Sequence, residues 1–275
     1  MTPSQEEAPG RLTDCHVHLD HYPPEERQRV LERSRAAGVR FLVTAGMDVD
    51  SSAAAVALAS RDKGVLAAVG VHPWNADKAP QGFGDSLRQL AQEPDTVAIA
   101  EAGLDFVDNV FSQVTYHNNP ALRSAQERVL REEIALACEL RLPLVLHARG
   151  AYAPLVRILI EEKADRVGGA IHNFDTDEAT ARAVFDLGFL ASFGGTVTFP
   201  SETAVHALVR FVPLDRILLE TDSPYMPLYQ QTAEKNEPAN VARVAQALAD
   251  LRGIALEELV QATFQNFTAL FGVSA

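Results

Sequence analysis

The chain has 275 residues, a 47% hydrophobic fraction and a formal net charge of -13. The length suits a single α/β barrel domain, which takes ~250 residues, and the acidic balance argues against long, non-specific contact with a nucleic-acid backbone, which needs Lys and Arg to neutralise phosphates. No apolar run approaches the ~20 residues of a membrane span, and the two cysteines, Cys15 and Cys138, give no disulfide framework, which suits a reducing cytoplasm.

Met1 to Gly10 is acidic and polar and lacks the basic and apolar regions of a secretory signal, so it reads as a loose tail ahead of a domain spanning 11–275. Eight short β-like runs follow: Arg11–His16, Phe41–Thr44, Val65–Val71, Val97–Glu101, Leu144–His147, Gly169–His172, Phe189–Ser192 and Ile217–Glu220. Several are almost continuous Val, Leu, Ile and Ala, the composition of parallel strands buried on both faces. Helical patterns alternate with them. Pro24–Gly38 closes on a glycine, Arg123–Leu140 is long and amphipathic, and Asp177–Gly188 opens on a capping Asp and closes on Gly. Eight β/α units predict a (β/α)8 TIM barrel. The segment Phe106–Arg123, with His117, Asn118 and Asn119, is longer than most such loops and reads as a lid or substrate wall.

In a TIM barrel the active site lies at the C-terminal ends of the strands. Six metal-competent side chains fall there: His16, His18, Glu101, His147, His172 and Asp222. His16 and His18 are alternate residues, so both imidazoles share one face of a strand. Asp14, two residues earlier, is placed to orient one of them. Singly, each side chain has a plainer reading. A lone His at an apolar strand end is more often structural, a Glu after a strand is usually solvated, and Asp222 could cap the turn before Ser223-Pro224. Together they describe a site for one or two divalent ions, with hydrolysis as the first functional reading. His-rich ligation suits Zn, Mn, Fe or Ni better than an all-oxygen Mg site, with Mg kept among the candidate ions.

Secondary candidates surround the six. His72, in Gly-Val-His-Pro, is an extra histidine for substrate or proton transfer, with a turn histidine held by Pro73 as the plainer reading. Arg149 offers a planar fork for phosphate or carboxylate, or else a surface ion pair. Glu220 is a weaker ligand candidate on Asp222's side of the strand. Strand alternation points Cys15 away from the histidines, so a cysteine nucleophile is disfavoured. His21 and His206 read as structural or surface residues, and the Arg27–Arg35 stretch as a solvated helix face. No phosphate-binding loop, dinucleotide fingerprint or nucleophile elbow is present.

These residues resemble the TatD family of metal-dependent hydrolases, in the amidohydrolase superfamily. The resemblance rests on D-C-H-V-H-L-D (Asp14 to Asp20), G-V-H-P (Gly70 to Pro73), E-A-G-L-D (Glu101 to Asp105), L-P-L-V-L-H-A-R (Leu142 to Arg149), I-H-N-F (Ile171 to Phe174), L-E-T-D-S-P-Y (Leu219 to Tyr225) and N-E-P (Asn236 to Pro238). It implies a TIM barrel with a mono- or dinuclear divalent-metal site and phosphodiester hydrolysis, commonly of the 3′-5′ exonuclease or other DNase type. By the same resemblance His16 and His18 bind a first ion, Glu101 bridges, and His147 and His172 bind a second. Asp222 binds the first ion and positions the hydrolytic water, while His72 and Arg149 contact substrate. The expected partners are nucleic-acid ends or a small phosphoester, with no membrane and no obligate protein partner.

The chain departs from the family at Asn173, where a Cys is usual, at Ala233-Glu234-Lys235, where a basic run is usual, and at Glu133, near a usual Gln. These departures keep a second reading open: a small-molecule metallohydrolase (lactonase, amidase, phosphotriesterase or other phosphoesterase) on the same barrel. Many such enzymes bridge their metals with a carboxylated Lys, where this chain has Glu101. A third reading, a binding or scaffold protein with a relic site, would be marked by a lost ligand, and all six are present.

Overall fold

Eight parallel strands pair in chain order: β1 Leu12–Val17, β2 Val39–Ala45, β3 Val65–Val69, β4 Thr96–Asp105, β5 Leu144–Arg149, β6 Gly169–Ile171, β7 Phe189–Phe193 and β8 Ile217–Leu219. They are seen in a computed structural model that describes residues 11–108, 119–231 and 235–274. The expected N-terminal tail and most of the Phe106–Arg123 loop, including His117 and Asn118, lie outside the described residues, as do Ala233 and Glu234. Two backbone bonds close the ring between β1 and the segment after β8. His18 N–H donates to Ser223 O at 2.8 Å, and Asp222 N–H to His16 O at 2.9 Å.

Parallel neighbours need crossovers, and helices supply them: α1 Pro24–Ala36, α2 Val49–Ala59, α3 Phe83–Ala91, α4 Pro120–Leu140, α5 Tyr152–Glu161, α6 Glu178–Asp186, α7 Thr203–Phe211 and α8 Val241–Arg252, followed by α9 Leu256–Phe271. The chain is a (β/α)8 barrel, as its sequence predicts. Helix α4 starts three residues before the expected Arg123. The Asn119 side chain accepts the Leu122 N–H there, and Pro120 takes the first turn. Asp177 caps α6 by accepting the Thr180 N–H.

Two apolar clusters stabilise the fold. The larger lies between strands and helices. The smaller takes residues from all eight strands, among them Cys15, Val43, Ala68, Ala98, Val145, Ala170, Leu190 and Leu218, and is therefore the barrel interior. Phe264, Phe267 and Phe271 of α9 join it, with Phe267 stacked on Phe41 at 6.2 Å. Helix α9 thus closes the end where β2 begins and leaves the other end open.

Register shifts interrupt β1 between Asp14 and Val17 and β4 between Ile99 and Ala102. Such irregularities re-aim side chains. Cys15 and His16 both face inward, as do Ala100 and Glu101. This corrects the expectation for Cys15, which lies in the interior with Sγ 3.0 Å from Ser192 Oγ rather than on the opposite face. It also corrects the position of Glu101, which sits inside β4 rather than at its end. Gly103 follows at φ 147°, where a Cβ would lie 2.1 Å from His147 O, so glycine permits β4 and β5 to meet there.

Helix α4 supports the exit of β3 through a buried acid. Glu133 is fully buried, and its Oε1 accepts the Val71 N–H at 2.7 Å, next to His72. Burial pushes the Glu133 carboxyl up to about 8, against the Val71 hydrogen bond, which lowers it. A carboxyl raised on folding holds a proton that the unfolded chain releases. Its contribution to stability is therefore fully present below the ordinary Glu value and falls as pH rises to about 8. The change amounts to roughly 4–5 kcal/mol at about 1.36 kcal/mol per pH unit. Glu133→Gln keeps the acceptor for Val71 and abolishes the titration. Denaturant unfolding should show the variant gaining on the wild type from pH 5 to pH 8.5, and parallel pH profiles would contradict this.

Candidate metal centre

The open end of the barrel gathers all six ligand candidates around Glu101, which is 2% exposed. Its Oε2 lies 3.3 Å from His16 Nε2 and 3.5 Å from His18 Nε2. Its Oε1 lies 3.1 Å from His147 Nδ1 and 3.0 Å from His172 Nε2. Asp222, beyond the end of β8, faces the β1 histidines, with Oδ1 3.4 Å from His18 Nε2 and 3.9 Å from His16 Nε2. One carboxylate thus faces histidines on both oxygens, His16 and His18 on Oε2, and His147 and His172 with His72 beside them on Oε1.

Backbone pairing explains the convergence. The β1–β8 closure binds the main chain of His16 and His18 directly to residues 222 and 223. Glu101 N–H donates to Gly46 O at 3.1 Å, beyond the end of β2, and His172 N–H donates to Leu146 O at 3.0 Å. Asp14 does not orient a histidine ring, contrary to expectation. Its carboxylate accepts the Thr221 N–H (3.0 Å), the Thr221 hydroxyl (2.6 Å) and the His16 N–H (3.3 Å), fastening β1 to the exit of β8. Asp222 itself has φ 55°, a left-handed conformation that Asp tolerates better than most residues.

The hydrogen bonds fix which ring nitrogen faces inward. His18 Nδ1 donates to Ala45 O at 3.2 Å, which turns its Nε2 inward, and His147 Nε2 lies 3.1 Å from Asp105 Oδ2, which turns its Nδ1 inward. The inward nitrogens, His18 Nε2 and His147 Nδ1, face carboxylate oxygens, an arrangement that requires a cation or proton between them. His147 Nδ1 also stands 3.0 Å from His172 Nε2. His16 is 0% exposed, and among the described residues neither of its ring nitrogens has a hydrogen-bond partner. Three groups, His16–His18–Glu101, His16–His172–Asp222 and His72–Glu101–His147, bring their ligand atoms within 4.8 Å of one another. The donor set fits divalent metal ions. Proton equilibria reflect the same crowding. Burial raises the Glu101 carboxyl, but the imidazoles of His72, His16 and His172 outweigh it and hold the group well below the usual range. Burial lowers His172, but Glu101 outweighs it and carries the imidazole well above its ordinary value.

His72 differs from the other histidines. It belongs to one of the three groups by distance, with Nε2 3.4 Å from Glu101 Oε1. Its Nδ1, however, accepts the Trp74 N–H at 3.0 Å. The neutral ring therefore carries its proton on Nε2 and acts as a donor, not a ligand. Burial lowers its pKa to about 4, so it is neutral near pH 7.

Arg149 is 45% exposed, and its Nε lies 3.0 Å from Asp105 Oδ2. Asp105 also accepts from Trp74 Nε1 at 2.9 Å, and the Arg149 guanidinium lies 5.7 Å from the Trp74 ring centre. Sequence reasoning assigned no role to Asp105 or Trp74. The inward parity of 101, 103 and 105 along one strand is the signal that could have found Asp105. His21, read as structural, stacks on His18 at 5.4 Å, and its Nδ1 lies 2.8 Å from the Tyr225 hydroxyl. His206 points elsewhere, with Nε2 2.9 Å from Val197 O. Glu220 is buried, accepts the Asn173 N–H at 2.7 Å and lies 3.6 Å from His172 Nδ1. It stands behind the ligands rather than among them.

A TIM barrel whose open end holds four histidines and two acids in metal-binding array has the architecture of a metal-dependent hydrolase. The family described as TatD related DNase matches residues 13–272, and the chain belongs to the TatD family of metal-dependent hydrolases. It is 37% identical over 268 residues to the metal-dependent hydrolase YcfH of Escherichia coli K12, covering 96% of this chain and 97% of that protein. It is 33% identical over 264 residues to the metal-dependent hydrolase YabD of Bacillus subtilis 168, covering 96% and 100%. The crystal structure of YjjV, a TatD homologue from Escherichia coli K12, superposes with a TM-score of 0.87 at 30% identity, covering 97% of this chain and all of that one. Among the described residues, no helix is long and apolar enough to cross a membrane.

Proposed function

We propose that this metal-dependent hydrolase is a deoxyribonuclease that cleaves phosphodiester bonds near a free strand end, in the manner of a 3′-5′ exonuclease. The observation that carries this reading is the division of Glu101 between two sets of histidines, with Asp222 beside one set. Such a carboxylate can bridge two ions, and two-ion sites suit in-line displacement at phosphorus. His16, His18 and Asp222 would hold one ion and His147 and His172 the other, with Glu101 shared. When bound, divalent ions lower the pKa of a water molecule and polarise the scissile P–O group.

The chain's own residues supply the rest. Burial raises the Asp222 carboxyl, but the His18 hydrogen bond and the neighbouring His172 and His16 outweigh it, so Asp222 is an anion able to accept the proton of the attacking water. His72 donates from Nε2. Arg149 pairs with a non-bridging oxygen or a neighbouring phosphate and helps balance charge in the transition state. The net charge of -13 confines nucleic-acid contact to a few phosphates near an end. That acidity, with Ala233-Glu234-Lys235 where a basic run is usual, also favours the second reading, a small-molecule lactonase, amidase or phosphoesterase.

Arg149 separates the two. Arg149→Lys keeps the charge and loses the fork. With a phosphodiester substrate, loss of a charge-assisted contact of about 1.5–3 kcal/mol should reduce kcat/KM about ten- to a hundredfold. Arg149→Met should reduce it further, with metal content unchanged. A neutral lactone offers Arg149 no anionic partner, so its hydrolysis should change little. Steady-state kinetics of both variants on a single-stranded oligonucleotide and a lactone give the answer. Equal small effects on both substrates would remove Arg149 from phosphate binding and weaken the nuclease reading.

A further inference from the structure

Asn173 lies just beyond the end of β6, and its contacts converge on the site. Its side-chain Nδ2 donates to Asp222 Oδ2 at 3.0 Å and lies 3.4 Å from His172 Nδ1. Its backbone N–H donates to Glu220 Oε1 at 2.7 Å. The carboxylate acceptor identifies which end of the amide is nitrogen. Two requirements meet at this position. The backbone has φ 44°, a left-handed conformation open to Gly and tolerated by Asn and Asp, and Asp222 needs a donor on its outer oxygen. Gly194 leaves the space, since a Cβ there would lie 3.0 Å from Asn173 Oδ1 and 3.2 Å from Glu220 Cγ.

We propose that Asn173 is a positioning residue that fixes the rotation of Asp222, occupying Oδ2 so that Oδ1 is presented to the ion held by His16 and His18. Asp222 lies on a left-handed turn beyond a three-residue strand, and its other side-chain neighbours, the His18 and His16 ring nitrogens, face Oδ1 rather than Oδ2. The amide constrains Oδ2 without adding charge. The Glu220 contact anchors Asn173, and the same oxygen lies beside His172, so one short network orients a ligand candidate from each side of the site. This role rests on the reading of Asp222 as a metal ligand.

Asn173→Gly isolates the amide, because glycine adopts the backbone conformation freely. Titration calorimetry of the metal-depleted protein with Mn²⁺ should show affinity weakened about ten- to a hundredfold, the usual effect of removing a group that orients a ligand. With a hydrolysable substrate at saturating Mn²⁺, kcat should fall while KM stays within about twofold. Asn173→Asp, which keeps the shape but sets a second carboxylate against Asp222, should lose more than Asn173→Gly. In an Asp222→Ala background, Asn173→Gly should change Mn²⁺ affinity no further, since coupled residues are non-additive.

A purely structural role would give additive losses that follow a lowered Tm. Wild-type affinity in Asn173→Gly, or full additivity with Asp222→Ala, overturns the proposal. Wild-type affinity in Asp222→Ala alone overturns the ligand reading and this role with it. Because calorimetry needs no substrate, failure of the nuclease reading leaves this result intact.

Discussion

Replacing Glu101 with Gln is expected to empty both halves of the metal centre at once. Among the described residues, no other side chain has one oxygen toward His16 and His18 and the other toward His147 and His172. The amide presents one oxygen and one NH2, so it can serve one ion at most and sets N–H groups against the remaining imidazoles. Metal analysis should find less than half the wild-type content. Hydrolysis should fall by at least on the order of a thousandfold, since bound ions supply several kcal/mol of charge stabilisation and each 1.36 kcal/mol is about tenfold in rate. The fold should survive, because the barrel is held by the two apolar clusters and eight paired strands. Near wild-type turnover with full metal content would show that Glu101 does not bridge.

Asp222→Asn should give a different pattern. The amide stays close in shape, so folding should change little. As a neutral group it cannot take a proton from water, and a lost general base lowers kcat by about 10²–10⁴-fold. Because Asp222 also faces His16 and His18, the variant should bind metal less tightly. The kinetic loss should persist at saturating metal, with KM near the wild-type value. A loss fully restored by excess metal would leave Asp222 a ligand but remove it from proton transfer.

The architecture was legible because its signals are periodic and local. Eight apolar runs separated by amphipathic segments have few alternatives to a parallel barrel, and ligands at the C-terminal ends of strands converge by topology. His16, His18, Glu101, His147, His172 and Asp222 all meet at the open end for that reason. What sequence could not give was local geometry. Strand alternation misdirected Cys15 because it takes no account of the β1 register shift, and it placed Glu101 at a strand end because the sequence after it does not show that β4 continues to Asp105. Asp14 was assigned to a histidine by proximity in sequence, whereas its partner, Thr221, is 207 residues away. The donor state of His72 follows from one hydrogen bond with Trp74, which no motif records.

The central claim, that hydrolysis depends on ions held by these six side chains, is tested most directly by removing and restoring the metal. Purified wild-type protein should carry one or two equivalents of a divalent ion. After exhaustive chelation it should lose all hydrolysis of a single-stranded oligonucleotide, and stepwise addition of Mn²⁺ or Zn²⁺ should restore turnover in proportion to metal bound. Full turnover by rigorously metal-free protein would contradict the account.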